Sequence, residues 1–248
     1  MALPDVVSRE EWRSARLDLL EEEKAMTRAR DALSTRRRGL PMVRVAEDYR
    51  FEGPAGEVGL ADVFEGRSQL VVQHFMFDPS WEDGCPSCTA SADEVSDGLL
   101  AHLAARDATF AAVSRAPLAT IERYKRKRGW TFPWYSSFGS SFNYDYHVTL
   151  DPDVAPVEFN FRSADEWAAQ GQDWIGQAGS TEQPGYSVFL HVGDDVFHTY
   201  STYARGGEWL GGSYAFLDLT PLGRQEDWEE PKGRAESVRG AVPDFATE

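Results

Sequence analysis

The chain has 248 residues, 42% of them hydrophobic, and a formal net charge of −16 from 41 acidic and 25 basic side chains. That charge repels polyanions and so argues against nucleic-acid or anionic-membrane partners, and no apolar run approaches the roughly 18 residues that span a bilayer. Two cysteines are too few for a disulfide-stapled scaffold, and the opening MALPDVVSREEW lacks the basic and apolar regions of a secretory signal, so the composition predicts a soluble, cytoplasmic protein.

The first predicted element is a helix from about Ser8 to about Arg38. Ser8 and Glu11 have the spacing of a capping box, in which hydroxyl and carboxylate satisfy otherwise unpaired N–H groups. Trp12, Leu19, Leu20, Met26 and Leu33 recur near helical spacing among charges. Arg36–Arg38 complements the macrodipole, and Gly39 and Pro41 stop the helix. Residues 1–41 are therefore expected to form an amphipathic arm. It docks on its own domain or makes a homodimer contact.

Short strands are expected at Met42–Val45 and Tyr49–Phe51, with a glycine-marked turn region between Phe51 and Leu60. Leu70–Phe77 is dense in apolar and β-branched residues and suits a strand buried on both faces. After the loop Asp78–Gly84 come Cys85-Pro86-Ser87-Cys88, a helical pattern over Ala90–Arg106, a strand Thr109–Ser114 and a helix Pro117–Arg128. This alternation predicts an α/β fold with a parallel strand pair and a crossover helix.

Aromatic residues crowd Trp130–Tyr146 without a sustained period, which predicts a loop packed by its own rings. A strand is expected at Glu158–Phe161, a short helix at Ser163–Gln170 and a loop at Gln177–Gly185. Ser187–Val192 and Val196–Tyr203 read as a hairpin across Gly193-Asp194-Asp195. Tyr214–Leu219 is a strand or a helix start, and the chain beyond Gly223 reads as a polar, loosely held tail.

All the cysteine lies in one C-x-x-C that follows a buried strand and opens a helix. Free N–H groups and partial positive charge at a helix start stabilise a thiolate, with a pKa expected in the range of about 3.5–7.5. Pro86 suits the first turn because it has no N–H to leave unpaired. Cys85 is thus the expected nucleophile and Cys88 the resolving thiol. Zinc would need ligands that the neighbourhood lacks, and no metal or other cofactor is expected. A pair of inert buried cysteines is the competing structural reading.

The stretches FMFDPSWEDGCPSC, RGWTFPWYSSFGSSFNYDYH, SVFLHVGDDVFHTYSTYARG and LDLTPLGR, with the arm EWRSARLDLLEEEKAMTRARDAL, resemble a bacterial family of unknown function. That family is placed in the thioredoxin-like superfamily and is also described as a predicted dithiol–disulfide isomerase. The resemblance runs from about Glu11 to Arg224. It implies a thioredoxin-like domain over residues 42–222, a large aromatic-rich insertion at about 130–184, and a tail at 223–248. The cysteine pair leads to the expectation of a protein or small-molecule thiol or disulfide substrate. Cys85 and Cys88 match the redox pair. Thioredoxins place Trp before the first cysteine, where this chain has Gly84; the nearest Trp is Trp81. They also place a cis-proline ahead of the strand facing the disulfide. Pro184 lies near that place, with Gly185 and Tyr186 between it and the expected strand. Trp81, Pro86 and Pro184 are therefore the expected substrate contacts, with Trp134 added from the aromatic stretch as a wall of an apolar groove.

Two other readings stay open. RGWTFPWYSS resembles a peroxiredoxin stretch, although the Pro-x-x-x-Thr-x-x-Cys motif is missing. The domain also fits a non-catalytic binding or scaffold module. With a two-residue loop at Asp194-Asp195, His191 and His198 fall opposite each other on one sheet face, where two imidazoles would bind a metal or flank a pocket. Asp93 is expected on a solvated helix face, and His74 is expected to be a satisfied core histidine.

Overall fold

The computed structural model describes residues 3–176 and 179–234 of the chain. The expectations for residues 177–178 and 235–248 lie outside them. The chain divides into two compact units, one built from residues 3–41 with 215–234, the other from 42–214.

In the first unit, helix α1 spans Arg9–Arg38 and begins with a capping box. The Glu11 carboxylate accepts from the Ser8 N–H at 2.9 Å, and the Ser8 hydroxyl accepts from the Glu11 N–H at 3.2 Å. Two unpaired donors are satisfied reciprocally, which fixes the start of the helix.

The second unit is built on an eight-stranded mixed sheet. Its strands in chain order are β1 (Val43–Arg44), β2 (Arg50–Gly53), β3 (Gly56–Gly59), β4 (Gln69–His74), β5 (Ala108–Ser114), β6 (Trp134–Ser136), β7 (Gly185–Val192) and β8 (Asp195–Tyr203). Their spatial order is β1-β8-β7-β4-β5-β6-β2-β3. At the centre, β4 and β5 are parallel, β7 runs antiparallel to β4, and β8 antiparallel to β7. The crossover from β4 to β5 carries helices α2 (Pro86–Asp93) and α3 (Asp97–Ala104), and α4 (Leu118–Arg128) follows β5. This order and direction of four strands, with a helix opening in the crossover that follows the first, is the thioredoxin-like arrangement.

Each face of the sheet buries its own apolar cluster, because side chains alternate across a strand. Leu70 and Val72 of β4 join Phe142 and Phe189 on one face. Phe75 and Phe77, just past β4, join Ile121, Trp134 and Cys88 on the other.

Several expectations are corrected. The Ala90–Arg106 pattern is two helices, because the Ser96 hydroxyl accepts from the Leu99 N–H at 3.2 Å and starts a second one. The glycine-marked region after Phe51 is a hairpin, with Gly53 paired to Gly56. Trp134–Ser136 is a sheet strand parallel to β5 rather than part of an inserted loop. Only three residues long, β6 shows too little alternation to be read as a strand. Of the two readings of Tyr214–Leu219, the helix is found, Gly212–Leu217.

Candidate functional site

Cys85 is the N-cap of α2, and Pro86 occupies the first helical turn. The Cys85 N–H donates to the Met76 carbonyl at 3.0 Å, which clamps the helix start onto the chain leaving β4. The Thr89 N–H and hydroxyl both donate to the Cys85 carbonyl at 2.9 Å, and the Thr89 hydroxyl also meets the Tyr124 hydroxyl at 2.8 Å. The loop before the cysteine is tethered to α4. Lys127 bonds Asp83 at 2.8 Å, and Arg123 donates to the Glu82 carbonyl at 3.0 Å.

Gly84 replaces the tryptophan that thioredoxins carry at this place, and the packing explains why. A Cβ at Gly84 would meet the Phe75 ring at 2.5 Å and Tyr124 at 3.2 Å. The chain passes flat against the Phe75 ring, so no side chain fits.

Both cysteines are free, Cys85 half-buried and Cys88 buried. The Cys85 thiol is pulled down to about 6. The largest cause is a hydrogen bond from Cys88, and the backbone N–H groups of Cys88 and Ser87 add to it against the opposing effect of burial. The helix-start amides therefore contribute as expected, but the partner thiol contributes more. Cys88 is pushed well above the ordinary thiol value, first by its bond to Cys85 and then by burial. Its sulfur accepts the Met76 N–H at 3.5 Å. One sulfur is thus anionic near neutrality while the other stays protonated beside it.

The expected substrate contacts divide. Trp81 is exposed in the loop, its backbone N–H bonded to the Asp78 carbonyl at 3.0 Å. Pro184 immediately precedes β7, because that strand starts at Gly185, two residues earlier than the sequence suggested. The one cis peptide bond among the described residues is Glu230–Pro231, so the bond before Pro184 is trans. Trp134 is corrected: it is fully buried, ringed by Phe75 at 4.6 Å and Trp130 at 5.6 Å, with its indole N–H on the Ser114 hydroxyl at 3.0 Å. It is core and offers no face to a substrate. Asp93 binds Arg128 and the Trp130 indole N–H, the latter at 2.9 Å.

The histidine pair is also corrected. Val192 pairs with Asp195, which makes the turn Gly193-Asp194 and sets His191 opposite Val196. The same register sets His198 opposite Phe189, and a bulge shifts the pairing only beyond that, from Val188 opposite Tyr200 onward. The two imidazoles are not cross-strand partners. Among the described residues no group of His, Cys, Asp or Glu is arranged to hold a metal ion.

Three features had no signature in the sequence, because each joins residues far apart in the chain. Tyr186 packs against the cysteine-side cluster, and its hydroxyl meets the Ser91 hydroxyl at 2.8 Å. At the ends of β4 and β5, Arg115 lies 3.3 Å from Glu182 and 3.6 Å from Asp78. Burial pushes Glu182 up to about 7, outweighing the lowering effect of Arg115 and the Thr149 hydroxyl. On the face away from the cysteines, a chain of contacts at 2.7 Å each runs from His74 Nε2 to Ser187 Oγ, to Ser201 Oγ, to His198 Nε2. His74 is only half satisfied, since its Nδ1 is buried without a partner.

Comparison with known proteins gives one family. The sequence pattern described as "Bacterial protein of unknown function (DUF899)" matches residues 1–239. No curated protein matches the chain. Among solved structures, a Xanthomonas campestris bacterioferritin comigratory protein, studied for alkyl peroxide reduction, is similar at 13% identity and TM-score 0.45, over 69% of this chain and 94% of its own. A Xanthomonas campestris peroxiredoxin Q mutant gives 14% identity and TM-score 0.47, over 68% and 91%. A Mycobacterium tuberculosis peroxidoxin gives 15% identity and TM-score 0.37, over 61% and 79%. Among the described residues no helix is long and apolar enough to cross a membrane.

Proposed function

The chain belongs to this bacterial family of unknown function, DUF899, and we propose that it is a thiol–disulfide oxidoreductase of the cytoplasm. The observation that carries the reading is the asymmetry of the two sulfurs: a half-buried Cys85 held down to about 6 beside a buried Cys88 held up. A low-pKa thiol is reactive at neutral pH, and a protonated neighbour is kept out of competition until needed.

In this reading the Cys85 thiolate attacks one sulfur of a substrate disulfide. The substrate S–S bond breaks, a Cys85–substrate disulfide forms, and the leaving thiolate takes a proton. Cys88 then gives up its proton and attacks the Cys85 sulfur. The second substrate thiol leaves, and a Cys85–Cys88 disulfide remains. The substrate gains two electrons and two protons: both electrons come from the cysteine pair, one proton comes from Cys88, and the other from water. A thiol reductant restores the pair. Run backwards, the same steps oxidise a dithiol, so oxidase and reductase chemistry share this site. Trp81 and Pro184 are the residues proposed to touch the substrate.

The test is alkylation of the reduced protein across pH, with a disulfide-reduction assay on wild type, Cys85→Ser and Cys88→Ser. Expected are a thiol titrating near 6 that vanishes in Cys85→Ser, no turnover in that variant, and a trapped mixed disulfide in Cys88→Ser. An ordinary thiol titration with turnover unchanged in both variants would overturn the reading. Peroxide consumption by the same preparation, in place of disulfide reduction, would assign a peroxidase instead.

A further inference from the structure

Helix α1 is 30 residues long and buries none of its side chains fully. Trp12, Leu19, Met26 and Leu33 stand 59%, 49%, 70% and 45% exposed. They are seven residues apart, so they form one stripe that drifts slowly around the helix. A sustained seven-residue apolar repeat is the pattern that pairs helices along their length. Lone exposed apolar residues are ordinary, but a repeated row on one face is not.

The charges on α1 are divided along its length. Residues 9–23 hold six acidic and three basic side chains, and residues 24–38 hold one acidic and six basic. The change of sign falls between Leu19 and Met26, which is also the midpoint of the apolar stripe. Sign and stripe therefore share one centre. Turning the helix end for end about that point lays Trp12 on Leu33 and Leu19 on Met26, and lays the acidic half on the basic half. It also opposes the helix dipoles. A parallel arrangement instead faces acid with acid and base with base.

From this coincidence we propose that α1 is a homodimerisation element, pairing antiparallel with α1 of a second copy about a two-fold axis between Leu19 and Met26. A two-fold interface requires a self-complementary patch, and this helix supplies one in both shape and charge.

Light scattering on the eluting protein at tens of micromolar tests the state. The expected mass is twice the 27.8 kDa of the chain, with weaker association at high salt because exposed charge pairs are screened. Leu19→Glu with Met26→Glu is expected to give the monomer mass with an unchanged circular dichroism spectrum, since both positions are exposed. Orientation is read in a Cys85→Ser, Cys88→Ser background, which also makes the readout independent of the thiol chemistry. A mixture of Leu19→Cys and Met26→Cys chains is expected to form mixed disulfide dimers, and neither alone to do so. Residues seven apart lie about 10 Å apart along a helix, beyond disulfide reach. A monomeric wild type overturns the proposal, leaving the stripe to a different protein. Rapid disulfide formation by Leu19→Cys alone overturns the antiparallel pairing.

Discussion

Gly84 and Phe75 are in contact so close that a single added carbon would sit 2.5 Å from the ring. Phase and position of the cysteine helix depend on that approach, since Cys85 follows directly and is clamped to Met76 at 3.0 Å. Phe75 is itself locked among Tyr124, Trp130 and Trp134. The ring has no room to retreat, so Gly84→Ala must move the loop. The expected cost is about 1–3 kcal/mol, the usual range for overpacking. Urea unfolding measures it, and the Cys85 alkylation rate at pH 7 is expected to fall in the same variant. Unchanged stability and reactivity would show that the loop yields freely.

The Cys85 pKa sets a pH dependence of stability in the reduced protein. Its folded value, about 6, is below its ordinary value of 9.0. The unfolded chain therefore binds the proton more tightly, and stability rises with pH between the two values. It is fully present above about 9 and lost as pH falls through about 6. Cys85→Ser is expected to flatten this part of the profile. Cys88→Ala is expected to raise the Cys85 titration toward the ordinary thiol value, because Cys88 supplies the largest lowering contact. Cysteine absorbance at 240 nm, followed against pH, reads both effects. A titration that does not move in Cys88→Ala would assign the thiolate to the backbone amides alone.

Signals that act within a few residues were legible in the sequence. The Ser8–Glu11 capping box, the stop at Gly39 and the placing of Cys85 at a helix start all rest on local spacing and appear as read. The parallel β4–β5 pair was legible because both strands are apolar runs separated by helical pattern. Trp134 was misread because an aromatic cluster carries no period that separates core from groove. His191 and His198 were misplaced by a turn one residue earlier, and that shift changes every cross-strand pair beyond it. Glu182 and Arg115 left no trace at all, since their meeting is decided by how β5 ends and how the segment before β7 returns.

Glu182 gives a pH dependence of the opposite sign to Cys85. Its carboxyl is raised from 4.5 to about 7, chiefly by burial. The folded state holds the proton more tightly, so stability is full below about 4.5 and is lost as pH rises through about 7. Arg115 at 3.3 Å offsets part of the burial cost but not all of it. Glu182→Gln keeps the shape and a partner for the Thr149 hydroxyl, and it removes the buried charge. It is therefore expected to be at least as stable as wild type at pH 8, and to lose the fall in stability between about 4.5 and 7. Thermal unfolding at pH 5 and pH 8 makes the comparison. A variant clearly weaker than wild type at pH 8 would mean that the ion pair with Arg115 outweighs desolvation.

The chain from His74 through Ser187 and Ser201 to His198 has two hydroxyls at its centre, each in contact with both of its neighbours. Burial holds His74 down to about 3 from 6.5, and nearby His198 adds to the shift. The folded state thus resists its protonation, and stability falls as pH drops from about 6.5 toward about 3. Ser187→Ala cuts the chain at its middle. It leaves His74, whose Nδ1 already lacks a partner, with neither ring nitrogen satisfied, and leaves Ser201 with one contact fewer. A buried polar group without a partner costs about 1–3 kcal/mol, and the expected loss in urea unfolding at pH 7 lies in that range. Because the chain lies on the sheet face away from the cysteines, the Cys85 alkylation rate is expected to stay at its wild-type value. A variant that keeps its stability would show the contacts to be dispensable. One that loses Cys85 reactivity instead would tie this buried chain to the thiol site through β4.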